Sequence, residues 1–287
     1  MQDFSNCYLC GSSEHLFREG KVRDNSSLDI LECENCGVVT LSQKNVPEGF
    51  YEESGMHGDE ALDIEAWIRE LERDDDRRLK YLYDKLTNKD VLDFGCGPGG
   101  FLLKARNRTN EIFGIELETR LKQHYEKNNL FVVQHSHQLP QGKKFDYITA
   151  FHVVEHLEDP AAILIELSQR LKKGGKIIIE IPSGSDALLT LYKNKPFSEF
   201  TYWSCHLFLF NAANLKLLAK KAGLKLDYVD HVQRYPLSNH LHWLANGKPG
   251  GHQLWSVLDS DELSNAYEAK LASLGITDTL IASFSLG

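Results

Sequence analysis

Three groups of residues have the types and spacing that chemistry requires. The densest is His152-Val153-Val154-Glu155-His156, which sets a carboxylate among imidazoles. A histidine titrates near neutrality, and a neighbouring carboxylate that orients it makes a suitable base for removing an acceptor proton. Taken alone, the run also matches the H-x-x-E-H of a zinc protease. That chemistry is argued down because the run follows a strand of a parallel sheet instead of lying within a long helix.

The second group is Val91-Leu92-Asp93-Phe94-Gly95-Cys96-Gly97-Pro98-Gly99-Gly100, a glycine loop between a strand and a helix. Glycines there permit a tight turn and close approach of backbone to ligand. Gly95, Gly97 and Gly100 satisfy the dinucleotide fingerprint G-x-G-x-x-G, so a nicotinamide cofactor is the competing reading. Asp93 at the strand end decides against it. A carboxylate repels a pyrophosphate and attracts the ammonium of an amino-acid tail, so an adenosine ligand carrying an amino acid fits better. The next strand ends in Ile115-Glu116, and an acid at that tip suits the two ribose hydroxyls.

The third group is Cys7-x-x-Cys10 and Cys33-x-x-Cys36, with 22 residues between the pairs. This spacing reads as a zinc ribbon. Each turn brings two thiolates to one ion at about 2.3 Å, and four thiolates leave no position for a substrate, so the metal is structural. Disulfides are disfavoured because nothing marks the chain as secreted. Cys96 and Cys205 read as packing residues.

The elements that must position these groups follow from periodicity. Residues 1–45 form the ribbon and 46–88 a helical linker that covers the cofactor site; Ile64, Trp67, Ile68, Leu71, Leu79, Leu82 and Leu86 recur at helical spacing. Asp74-Asp75-Asp76 reads as a solvated break between two helices. From residue 89 to 287 apolar runs alternate with helical stretches, which predicts a parallel sheet covered on both faces. Two insertions, near 183–210 and 234–258, lie on the acceptor side; aromatics with scattered histidines there suit a polar ring-shaped ligand.

The 287 residues carry a net charge of −9, which argues against nucleic acid as a partner. No apolar run approaches the roughly 20 residues of a membrane span, and the start MQDFSNCYLC lacks a signal peptide, so a cytoplasmic protein with no membrane partner is expected.

Over residues 60 to 285 the chain resembles the class I S-adenosylmethionine-dependent methyltransferases. The resemblance rests on D-F-G-C-G-P-G, G-I-E at Gly114 to Glu116, Q-H-S-H-Q-L-P at Gln134 to Pro140, F-D-Y-I-T-A-F-H-V-V-E-H-L at Phe145 to Leu157, and L-K-K-G-G-K-I-I-I-E-I-P at Leu171 to Pro182. It implies an α/β fold, a Rossmann-like doubly wound seven-stranded sheet in the order 3-2-1-4-5-7-6, here with a small N-terminal zinc ribbon. It implies S-adenosylmethionine as cofactor, held by Asp93, Gly95, Cys96, Gly97, Gly99, Glu116, Leu117, His135, Ser136 and Phe151. His135 stands where many relatives have an Asp against adenine, so Ser136 or backbone is expected to make that contact. The ubiquinone-pathway O-methyltransferases carry E-x-x-E-H at the His152 motif and bind a divalent ion, which implies an ion near His152, Glu155 and His156 here. Deoxysugar C-methyltransferases carry V-L-E-H there, begin with a cysteine-rich zinc module, and place a tyrosine just after it at the substrate; Tyr51, or Phe50, is the nearest counterpart. His156 is then the base, Glu155 its partner, with Tyr51 and His206 beside the acceptor, a sugar, nucleotide sugar or related metabolite. The alternatives are a zinc-ribbon RNA methyltransferase, a non-catalytic cofactor-binding member, and an NAD oxidoreductase.

Overall fold

The computed structural model describes residues 6–43, 49–52 and 62–287. The chain opens with three short strands, β1 (His15–Phe17), β2 (Ile30–Cys33) and β3 (Val39–Leu41), followed by α1 (Ile64–Leu82). Strands and helices then alternate: β4 (Asp90–Phe94), α2 (Gly100–Ala105), β5 (Glu111–Ile115), α3 (Lys122–Lys127), β6 (Val132–Val133), β7 (Phe145–Phe151), α4 (Pro160–Ser168) and β8 (Leu171–Pro182). The segment after β8 holds α5 (Ala187–Thr190), α6 (Lys195–Ser198) and β9 (Phe208–Leu209). The chain continues through α7 (Ala212–Lys221), β10 (Leu224–Val232), α8 (Leu237–Asn246), α9 (Gly251–Leu254) and α10 (Asp261–Leu274) to β11 (Thr279–Leu286).

Seven strands form one sheet in the order β10-β11-β8-β7-β4-β5-β6, with β11 antiparallel to both neighbours. Counted within this sheet, that is the expected order 3-2-1-4-5-7-6. The central strands are apolar on both faces, as a parallel sheet covered by helices requires; Ile177, Ile178 and Ile179 are all buried. Phe145, Ile148, Leu164, Leu215 and Phe284 join one continuous core, each contributing about 1.5–3 kcal/mol by its burial. Helix starts follow local chemistry: Asp159 caps α4 ahead of Pro160, and Asn211 with Asn214 forms a capping box at α7.

The ribbon is a second sheet, and β9, from the segment after β8, completes it. Its order is β1-β2-β3-β9, with Val39 opposite Leu209 and Thr40 opposite Phe208. Tyr8 further ties the ribbon to α4 by donating to Asp159 Oδ1 at 2.5 Å and accepting from the Ala161 amide at 2.9 Å.

One expectation fails here. Asp74, Asp75 and Asp76 do not break the helix, because α1 runs through them without interruption. Asp74 pairs with Arg77 and Arg234, Asp75 with Arg78 at 3.0 Å, and Asp76 with Lys104 at 2.7 Å. Arg77 and Arg78 of the same helix, with Lys104 and Arg234 from other elements, pair with the three acids, so the helix has no need to open there.

Candidate active site

A cavity of about 820 Å³ opens at the carboxyl ends of β4, β5 and β7, where ligands of open parallel sheets bind. Asp93, Gly95, Cys96, Gly97, Glu116, Leu117, His135, Ser136 and Phe151 all line it. Gly99 does not; it adopts a left-handed φ of 79° at the start of α2 and shapes the turn from behind. Gly95 is required for space as well as conformation. Its φ is 71°, and a Cβ there would meet Val153 Cγ2 at 2.4 Å, so the loop lies directly against the His152 motif. The Gly95 and Cys96 amides donate to the Ile115 carbonyl at 2.8 and 3.1 Å, which locks the loop onto β5.

Asp93 is buried and accepts from Thr149 Oγ1 at 2.7 Å. Burial raises its carboxyl to about 7, against the lowering effects of Thr149 and Arg78. Glu116 accepts from the Gly97 amide at 2.8 Å and the Glu118 amide at 3.0 Å, and burial raises it as well. Among the described residues six carboxylates line the cavity, those of Glu52, Asp75, Asp93, Glu116, Glu118 and Glu166, against the guanidiniums of Arg78 and Arg234. That balance suits a cationic ligand and opposes a pyrophosphate. These residues fit S-adenosylmethionine, a cation with an amino-acid tail and a ribose. Ser136 donates to Glu166, and the exposed His135 stacks on His137 at 5.4 Å.

Helix α1 supplies wall residues that spacing did not reveal: Trp67, Leu71, Asp75 and Arg78. The Asp75 carboxylate lies so close to Gly100 that a Cβ there would meet it at 2.3 Å. Burial lifts Asp75 to about 6. Arg78 holds Glu180 Oε1 through Nε at 3.1 Å and Nη2 at 2.9 Å, and lies 4.7 Å over the Phe151 ring. The pairing of Glu180 with an arginine 102 positions earlier has no local signature.

The His152 motif forms a short 3₁₀ turn after β7. His152 itself has a left-handed φ of 54°, a strained conformation for a residue with a Cβ. Its Nδ1 meets Glu155 Oε1 at 3.1 Å, and its Nε2 lies 3.3 Å from Glu180 and 3.0 Å from Arg234. Burial and Arg234 disfavour its cation, but the hydrogen bonds to Glu155 and Glu180 prevail and raise it. Although burial opposes ionisation, His152 holds Glu155 below the usual carboxylate range. Glu155 is wholly buried behind the cavity wall, with Oε2 lacking a hydrogen-bond partner.

His156 presents a buried, unpartnered Nδ1, and the buried Tyr51 hydroxyl is likewise unpartnered. Ring centroids lie 6.1 Å apart for Tyr51 and His156, 4.8 Å for His156 and His206, and 5.6 Å for Trp203 and His206. Tyr51, His156, Trp203 and His206 all line the cavity. Burial lowers His156, and burial together with His156 lowers His206 to about 3, so both imidazoles are neutral at pH 7. Donor atoms of Glu155, His156 and His206 lie within 4.8 Å of one another, a geometry that can hold an ion. His152 is outside that group; its Nδ1 bonds Glu155 and its Nε2 faces Glu180 and Arg234.

The four ribbon sulfurs also lie within 4.8 Å of one another; Cys7 to Cys36 and Cys10 to Cys33 are both 3.5 Å. A tetrahedron with metal–sulfur bonds of about 2.3 Å has edges of about 3.8 Å, so the cysteines fit zinc. All six cysteines are free thiols. Of the 234–258 insertion only Arg234 reaches the large cavity. His240 bonds to Tyr267 at 2.7 Å, His242 to the Lys248 carbonyl at 2.8 Å, and Trp243 packs on Phe197 and Phe200, so these rings build a local core.

No helix among the described residues is long and apolar enough to cross a membrane. A ubiquinone biosynthesis O-methyltransferase from Yersinia pestis (strain Pestoides F) is 30% identical over 132 residues, covering 40% of this chain and 52% of that protein. The chain thus spans about half the length of the curated relatives it matches. Among solved structures, a Haloferax volcanii complex of the Trm112 methyltransferase activator with a methyltransferase matches 79% of this chain and 98% of its own at a TM-score of 0.51 and 16% identity. Magnesium protoporphyrin IX methyltransferase from Synechocystis PCC 6803 matches 84% of this chain and 98% of its own, with a TM-score of 0.49 and 14% identity. The Haloferax likeness shows the fold. A family described as a methyltransferase domain matches residues 67–229, more than half of the 287, and the chain belongs to that family.

Proposed function

We propose that the protein transfers a methyl group from S-adenosylmethionine to a small polar acceptor, a sugar, nucleotide sugar or related metabolite. The observation that carries this reading is the carboxylate excess around the glycine loop, six acids against two guanidiniums among the described residues. When bound, the cofactor supplies a methyl group to the acceptor and leaves as S-adenosylhomocysteine. Asp93 pairs with the ammonium of its amino-acid tail, and Glu116 takes the ribose hydroxyls. His156, neutral and with Nδ1 unpartnered, receives the acceptor proton, and the buried Glu155 carboxylate stabilises the imidazolium that results. Tyr51, Trp203 and His206 bound the space for the acceptor and exclude water. The four ribbon cysteines hold a structural zinc ion.

A second reading has an observation of its own: Glu155, His156 and His206 converge as one carboxylate and two imidazoles and can hold a divalent ion that orients the acceptor. Chelator-sensitive turnover after the ribbon zinc is restored would favour the ion over the base.

Calorimetry tests the cofactor assignment. S-adenosylhomocysteine is expected to bind with one-to-one stoichiometry, and NADH is not expected to displace it. Displacement by NADH would overturn the reading.

A further inference from the structure

Helix α1 meets the large cavity with Trp67, Leu71, Asp75 and Arg78, at positions i, i+4, i+8 and i+11, which share one helix face. Asp75 is the one acid among these four. It is 3% exposed, and its two oxygens are used unequally. Oδ1 accepts from Arg78 Nη1 at 3.0 Å, which fixes the side chain. Oδ2 accepts no hydrogen bond from the described residues, and unlike Glu155 Oε2 and Glu180 Oε2 it is not shut away from the cavity that Asp75 lines. Gly100 makes room for it. Its backbone lies outside the left-handed region, so conformation does not demand a glycine there, but a Cβ would meet Oδ2 at 2.3 Å. The last glycine of the G-x-G-x-x-G pattern thus admits a carboxylate from α1 to the far end of the loop that Asp93 opens. Burial chiefly, and the Asp75 charge as well, raise the Asp93 carboxyl, so the two acids feel each other across the loop.

An ammonium brings three N–H donors, and each needs an acceptor once water is excluded. Asp93 has Oδ1 already engaged by Thr149, so it leaves donors over. We propose that Asp75 is a second carboxylate for the ammonium of the cofactor's amino-acid tail, with Oδ1 kept by Arg78 and Oδ2 accepting one of its N–H groups. The proposal rests on the methyl-transfer reading, which supplies that tail. A sulfonium has no N–H to offer, and a phosphate would be repelled, so the amine is the part of the ligand that this oxygen suits.

The test is calorimetric titration of the full chain at pH 8, where both carboxyls are ionised. Three ligands are compared: S-adenosylhomocysteine, its deaminated analogue with the tail carboxylate kept, and 5′-methylthioadenosine, which lacks the tail. None carries a sulfonium, so the comparison isolates the ammonium. Asp75→Asn should weaken S-adenosylhomocysteine by about tenfold or more, as loss of one charge-assisted hydrogen bond implies, and leave the other two ligands within about twofold. Arg78 keeps Glu180 through Nε and Nη2 in that variant, and the unchanged affinity for 5′-methylthioadenosine reports an intact cavity. Undiminished affinity for S-adenosylhomocysteine, or a loss shared by the deaminated analogue, would overturn the proposal. Failure of the parent to bind S-adenosylhomocysteine at all would sink the methyl-transfer reading and this proposal with it, a result distinct from equal binding by parent and variant.

Discussion

Asp93 offers a direct way to weigh the electrostatics of the cofactor cradle. Burial raises its carboxyl from the ordinary 3.8 to about 7. If the ionised form pairs with the ammonium of the cofactor, affinity follows the ionised fraction, which rises from about a tenth at pH 6 to about nine tenths at pH 8. The dissociation constant of S-adenosylhomocysteine should therefore fall about tenfold across that interval and level off above it. Proton release on binding, read by calorimetry in buffers of different ionisation enthalpy, should approach one below pH 6.5 and vanish above pH 8. Asp93→Asn should abolish both the slope and the release. The same burial has a consequence for stability with a definite sign. A carboxyl whose folded value is raised stabilises the fold while it stays protonated, and that contribution is lost as pH climbs from about 4 to about 7. At about 1.4 kcal/mol per pKa unit the loss has a ceiling of about 4 kcal/mol. Asp93→Asn should thus melt higher than the parent at pH 8 while binding cofactor poorly. A pH-independent affinity in the parent, or an unchanged affinity in the variant, would refute the reasoning.

Three other outcomes are expected. Glu180→Gln leaves Arg77, Arg78 and His152 without their shared buried carboxylate and should destabilise the fold by about 3–5 kcal/mol, measured by urea unfolding; a change under 1 kcal/mol would show the network to be dispensable. His156→Gln should lower kcat by about 10²–10⁴ with affinity for S-adenosylhomocysteine retained, and in the parent kcat should hold as pH falls past 6.5 because the imidazole is kept neutral below its ordinary value; an intact kcat in the variant would remove His156 as base. With zinc on the four cysteines, as proposed, chelation should lower the melting temperature of the whole chain, since Cys7, Cys33 and Val38 belong to the same apolar cluster as Phe208 and Phe210; a calorimetric trace insensitive to chelator would argue that the cysteines bind nothing.

Local features of the sequence exposed much of this. The cysteine knuckles, the glycine loop with Asp93, the acid tip at Glu116 and the His152 motif are contiguous runs whose spacing fixes their geometry, and the structure brings each to the cavity edge or to the sulfur cluster. What stayed hidden depends on distant partners. Asp74 and Asp75 look like a solvated interruption until Arg234, 160 positions away from Asp74, is seen to enclose that segment. Arg78 and Trp67 reach the cofactor cavity only because α1 lies across the loop. Gly99 satisfies the pattern yet works from behind it, since its left-handed backbone serves the start of α2. The rings of the 234–258 insertion find one another first, as buried aromatics usually do.

The fourth strand of the ribbon has an implication for how the chain is made. Val39 waits for Leu209, so 170 positions must be synthesised before that sheet edge is covered. Through that interval the nascent N-terminal segment carries an open edge, the feature that most readily recruits unwanted strands. If the four cysteines take zinc as proposed, early capture would hold the β2–β3 hairpin in register until its partner emerges, and the ion would then serve synthesis as much as the finished fold.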